Sequence, residues 1–167
     1  IKEMCGMNTM DEIHLGTDGC GVPVFGMPIR QLALAYAHLG APVKLSSKRA
    51  EACNRIRNCI TKHPFYLAGT GRFDTRLIEV TQGRIIGKMG AEGIFALTVP
   101  EKSLGMVIKI DDGSQRAVYP VVVEALVQLN LLSSSELNQL APFHIPLIHN
   151  WNGLPVGRIQ PLVQLNF

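Results

Sequence analysis

Only four residues, Pro100-Glu101-Lys102-Ser103, separate two apolar runs that read as β-strands, residues 93–99 and 104–110. A parallel pair needs a crossover of roughly a dozen residues or more, so these runs must pair antiparallel as a hairpin. A third strand-like run, residues 84–88, precedes them across a glycine-rich break. Helical patterns lie on both sides of this cluster. Helices, then a hairpin, then helices again define an α+β class, an antiparallel sheet flanked by helices.

The first helix is predicted over residues 29–39, where Ile29, Leu32, Ala33 and Tyr36 share one face. Pro28 suits its first turn and Gly40 the left-handed position after its end. A second helix follows from about Lys48 to Lys62, with Ser47 as its N-cap and Pro64 beyond it. Cys53, Ile56 and Ile60 line its apolar side with Cys59 beside them, which makes both cysteines core residues. Asp74 is expected to cap a short helix ending at Val80. Residues 121–132 form an apolar helix in which Pro120 is acceptable only in the first turn, so the start falls at Tyr119 or Pro120. Ser133-Ser134-Ser135-Glu136 is a capping box for a helix to Leu140. Residues 1–7 read as a helix end stopped at Gly6, and residues 156–167 as a last strand that Pro161 confines to an edge.

At 167 residues the chain is one domain's worth, expected to form a single domain portion, and 47% hydrophobic content is enough for a real core. Its net charge of +3 comes from scattered basic residues. Lys48, Arg49, Arg55, Arg57 and Lys62 share one helix, but Glu51 interrupts them and no aromatics interleave. That is a solvated face rather than a nucleic-acid surface. No apolar run reaches the ~18 residues of a membrane helix, and no signal peptide is visible. Cys5, Cys20, Cys53 and Cys59 lack CxxC spacing, so no disulfide framework is expected and a reducing cytoplasm fits.

Two segments carry candidate chemistry. Thr17-Asp18-Gly19-Cys20-Gly21-Val22-Pro23 sets a carboxylate and a thiol two residues apart among glycines. Such a loop aims an acceptor, a soft metal ligand and amide donors at one point, or it is a tight turn with a cysteine in it. Lys88-Met89-Gly90-Ala91-Glu92-Gly93 places a lysine on a strand face shared with Ile86 and Gly90. There Lys88 is either a cation for an oxyanion or a substrate carboxylate, or an edge-strand lysine. Lys-x-Gly also resembles the Lys-Thr-Gly strand of penicillin-recognising enzymes, whose partner Ser-x-x-Lys has no convincing match in this chain. His14, His38, His63, His144 and His149 show no metal-binding spacing, Asp111-Asp112-Gly113 lacks the later ligands of a calcium loop, and Gly69-x-Gly71-Arg72 has no nucleotide-binding context.

Taken in order, several segments resemble the asparaginase II family, the Rhizobium-type L-asparaginases. They are residues 16–25, Pro28 with residues 32–37, Gly69-x-Gly71-Arg72-Phe73-Asp74-Thr75, Lys88-x-Gly90-Ala91-Glu92-Gly93, and Gly105 through Lys109 to Asp112-Gly113-x-x-Arg116-Ala117. The match runs over about residues 3–132 and is far more specific than any one motif.

The resemblance implies a fold related to serine β-lactamases and glutaminases, and hydrolysis of L-asparagine to aspartate and ammonia. It implies Asp18 beside the substrate, Cys20 as a zinc ligand, and Lys88 as a catalytic and substrate-binding lysine. In the family the nucleophilic serine with its lysine, and a Cys-Ser-Gly-Lys-His segment that supplies further zinc ligands, lie upstream; neither is found here. The chain, which starts at Ile1, is therefore expected to be a C-terminal portion, inactive alone, that self-associates or joins a missing half. Rival readings are a glutaminase or peptidase-like enzyme of the same fold, or a non-catalytic binding module. A cysteine near the site in characterised members would align around Asp74, so that role is absent or filled differently. Removing Lys88 is expected to lower turnover by ~10²-fold and leave the fold intact.

Overall fold

The computed structural model describes residues 1–166. Backbone contacts divide the chain into two compact units, Ile1–Asn58 with Ala96–Val107, and Cys59–Phe95 with the chain from Ile108 onward. In chain order the elements are β1 (His14–Thr17), β2 (Pro23–Gly26), α1 (Ile29–Gly40), α2 (Ser47–Lys62), α3 (Phe65–Ala68), α4 (Phe73–Val80), β3 (Ile86–Gly90), β4 (Ile94–Val99), β5 (Leu104–Lys109), α5 (Gln115–Gln128), α6 (Ser134–His144), β6 (Leu147–His149) and β7 (Pro155–Arg158). Strands β3, β4 and β5 form one sheet in that order, and β1–β2 and β6–β7 are separate two-stranded ladders. With these helices the architecture is α+β, as the sequence pattern requires.

In the first unit, a turn over Pro100–Lys102 with Ser103 left-handed (φ 50°) closes the β4–β5 hairpin, and Thr98 Oγ1 donates to Leu104 O at 3.1 Å. Two glycines let α1 approach this hairpin. A Cβ at Gly105 would fall on the Ala33 carbonyl oxygen, and one at Gly40 on Thr98 Oγ1. Gly40 is thus not the left-handed residue after the helix; it is the last helical residue, and close packing is what excludes a side chain there. Arg57 of α2 donates to the Gly40 carbonyl at 2.5 Å. The expected helix end at residues 1–7 is a series of turns through Gly6 (φ 62°), and Cys5, Met7 and Ile13 form a small buried cluster with Met27 and Ala35.

Cys53 is buried, as expected, but Cys59 is exposed, because it sits on the flank of the apolar stripe of α2. Cys53→Ala should therefore lower stability by about 1 kcal/mol, with Cys59→Ala and Cys20→Ala near neutral in denaturant titrations. Equal losses at all three positions would contradict this assignment.

The second unit is organised around Phe73, which is fully buried. Its ring centroid lies 4.6 Å from that of Tyr119, 5.2 Å from Phe143 and 5.4 Å from Phe95. Leu77 and Ile78 of α4, Val118, Val122 and Leu126 of α5, and Leu140 of α6 complete the core. The capping box is present: Glu136 N–H donates to Ser133 Oγ at 3.3 Å, and Ser133 N–H donates to Glu136 Oε2 at 2.8 Å.

Several boundaries in this unit differ from the sequence reading. Helix α5 begins at Gln115, so Pro120 lies inside it. The proline removes the hydrogen bond to the Arg116 carbonyl, a defect of about 3 kcal/mol in an exposed helix, which burial of Pro120 offsets. Helix α6 runs on to His144 through Pro142. The last strand is only Pro155–Arg158, paired with Leu147–His149 around a turn at Trp151–Gly153. Pro161 lies in irregular chain beyond that strand rather than at an edge position, and Phe167 lies outside the described residues.

Glu124 joins α5 to α6. Gln128 Nε2 donates to Oε1 at 2.7 Å, and His144 Nε2 lies 2.8 Å from Oε2. The Gln128 hydrogen bond, followed by the His144 contacts against the opposing effect of burial, holds the carboxyl below its ordinary 4.5. A depressed carboxylate contributes stability above its unfolded pKa and loses that contribution as pH falls through the lower folded value. Glu124→Gln should thus destabilise at neutral pH and flatten the stability loss below about pH 4.5. An unchanged acid limb in the variant would show that Glu124 carries no such linkage.

Candidate active site

Asp18 and Cys20 occupy the tip of the β1–β2 hairpin in the first unit, and both are exposed. The tip is shaped by Asp18 itself. Its Oδ1 accepts from the Cys20 and Val22 amides, each at 2.9 Å, and Asp18 N–H donates to Val22 O at 3.1 Å. Gly21 is left-handed (φ 79°), which a glycine adopts without steric penalty. One carboxylate oxygen is therefore committed to the loop's own amides, and Oδ2 remains for an outside partner.

The zinc implied by the family resemblance finds little to bind it in this geometry. Cys20 is a single exposed thiol, and its neighbour Asp18 is half committed to the turn. Among the described residues no group of three His, Cys, Asp or Glu is placed to hold a metal. By themselves Asp18 and Cys20 supply at most two of the three or four protein ligands that a structural or catalytic zinc site takes.

Lys88 belongs to the second unit, on β3. Its side chain does not stand free above glycine. Nζ turns over the strand to donate to the Met89 carbonyl at 2.7 Å and lies 3.5 Å from Asp74 Oδ1. The Lys88 side chain is 40% exposed, and that of Asp74 is fully buried. Gly90 is required by contact rather than by open space, for a Cβ there would meet Ile94 Cγ2 at 2.6 Å.

Asp74 is the residue that sequence reasoning misplaced. It sits in the first turn of α4, but its side chain caps nothing there. It points instead to β3, where Oδ1 accepts the Met89 N–H at 2.7 Å. That bond satisfies a donor that the strand ladder leaves unused. Its other oxygen, Oδ2, is buried without a hydrogen-bond partner.

Tyr119 and Arg72 close the cluster. The Tyr119 hydroxyl donates to Met89 Sδ at 2.9 Å, and Arg72 NH2 lies 4.0 Å from the same sulfur. Burial pushes the Tyr119 phenol up from its ordinary value and the charge of Asp74 adds to this, with Arg72 opposing. The hydroxyl therefore stays protonated at neutral pH. Arg72 also lines a cavity of about 450 Å³ with Thr70, Thr75, Arg76 and Phe143. No spacing rule joins residues 72, 74, 88 and 119. The one sequence signal for Asp74 was the family cysteine aligned at that position.

Among curated proteins none matches this sequence. The family model of L-asparaginase II matches residues 1–161, nearly the entire chain, and spans both the Asp18 loop and the Lys88 strand. The chain belongs to the L-asparaginase II family.

Proposed function

We propose that the protein hydrolyses the side-chain amide of L-asparagine to aspartate and ammonia. The observation that carries this reading is the family match across residues 1–161. An amidohydrolase acting on a small amide agrees with it, and no helix among the described residues is long and apolar enough to cross a membrane.

Hydrolysis adds water across the amide: a C–O bond forms at the carbonyl carbon, an electron pair moves onto the carbonyl oxygen, and collapse of that adduct breaks the C–N bond, with the nitrogen leaving as ammonia on the proton given up by the attacking oxygen. Lys88 is the residue of this chain suited to the developing negative charge. Its ammonium is tethered by the Met89 carbonyl and Asp74 yet remains partly open. A preorganised cation of this kind lowers the barrier because it needs no reorientation as charge develops. In the first unit, Asp18 keeps its own loop in shape through Oδ1, which leaves Oδ2 open to a cationic group.

Ammonia release from L-asparagine, L-glutamine and a peptide amide, measured side by side on the protein expressed from its own gene, tests the reading. Asparagine should give the largest kcat/KM, and Lys88→Met should lower kcat by ~10²-fold. Glutamine or peptide turnover without asparagine turnover would assign a sibling activity, and no release from any of the three would mark a binding module.

A further inference from the structure

We infer that Asp74 is the positioning residue of Lys88: it holds the ammonium in place as a fixed cation at the reacting centre. This role rests on the asparaginase reading above. Supporting the β3 edge takes one acceptor for the Met89 N–H, and a neutral side chain supplies that. The chain instead buries a whole carboxylate, with Oδ2 lacking any hydrogen-bond partner. Burying a charge with an unfilled oxygen is unfavourable unless a counter-charge is bound. The Lys88 ammonium, 3.5 Å from Oδ1, is that counter-charge.

The other polar groups of the cluster are engaged with the Met89 sulfur. From the residue before α4, Arg72 directs its guanidinium at Met89 Sδ and Tyr119. From α5, Tyr119 contributes a neutral hydroxyl bound to the same sulfur. Lys88 is thereby held from two sides, by the Met89 carbonyl and by Asp74. A lysine has a flexible four-carbon stem, and without the second tether its ammonium would be free to move into solvent.

Asp74→Asn tests this, because the amide keeps the volume and the acceptor for Met89 N–H while removing the charge. In the protein expressed from its own gene, asparagine kcat should fall at least tenfold with KM within about threefold and the fold intact by circular dichroism. The effects of the two residues should also be non-additive. Lys88→Met should lower kcat by ~10²-fold in the parent but by no more than about tenfold in the Asp74→Asn background. An Asp74→Asn kcat within threefold of the parent overturns the proposal, and decides it alone should Lys88→Met not fold. Equal losses from Lys88→Met in both backgrounds overturn it too, since Asp74 would then act through structure only. Parent-like kcat in the double variant would remove Lys88 from the mechanism, and a parent without asparagine hydrolysis removes the reading beneath both roles.

Discussion

Phe73→Ala is expected to destabilise the second unit by about 3–5 kcal/mol, the range for truncating a fully buried aromatic. Phe73 has no exposed surface, and three other rings have their centroids within 5.4 Å of its own. Its ring is the common neighbour of α4, β4, α5 and α6, so the cavity left behind borders four elements at once. Rigid aromatic neighbours fill such a void poorly, which places the loss toward the upper part of the range. Since whole domains are stable by only about 5–15 kcal/mol, a loss of this size is a large share of the total. Denaturant titration checks it, with Phe25→Ala as the comparison. Phe25 is 45% exposed on the β1–β2 hairpin and should change stability by under about 1 kcal/mol. A Phe73→Ala loss below about 1.5 kcal/mol would mean that Phe73 is not the organising side chain of this core.

Phe73 also shows where sequence reasoning reached its limit. Local signals were legible wherever one short segment decides its own structure. The four-residue connection forced the hairpin, and Ser133 with Glu136 announced the start of α6. What failed was local inference about residues whose role is set by a distant element. Gly40 has the appearance of a helix terminator, yet its lack of a side chain answers Thr98. Pro120 appeared to mark a helix start, but burial outweighs the hydrogen bond that it removes from α5. Asp74 has the position and chemistry of a cap. The Met89 N–H that it binds is 15 residues away, so nothing in its neighbourhood announces the bond. The same holds for the candidate site. Lys88 was visible as a lysine among glycines, whereas the bond from Asp74 to the strand edge had no local signal.

The pairing also changes what removal of Lys88 should do to the fold, which was expected to be unaffected. Lys88→Met leaves the fully buried carboxylate of Asp74 with one backbone donor on Oδ1 and none on Oδ2. Deleting one partner of a buried ion pair typically costs about 3–5 kcal/mol, because the remaining charge is stranded. Lys88 is 40% exposed, so water screens part of the interaction and a loss of about 2 kcal/mol is the expected value. The sharper expectation is reversal. In Asp74→Asn/Lys88→Met neither charge remains, and the asparagine still accepts the Met89 N–H. Stability should then return to within about 1 kcal/mol of the parent, as replacing both members of a buried pair is often neutral. Denaturant midpoints of the parent, the two single variants and the double variant measure this directly. Single losses that simply add in the double variant would show that Asp74 and Lys88 are neighbours without being partners, and would return Lys88 to the status of an edge-strand lysine.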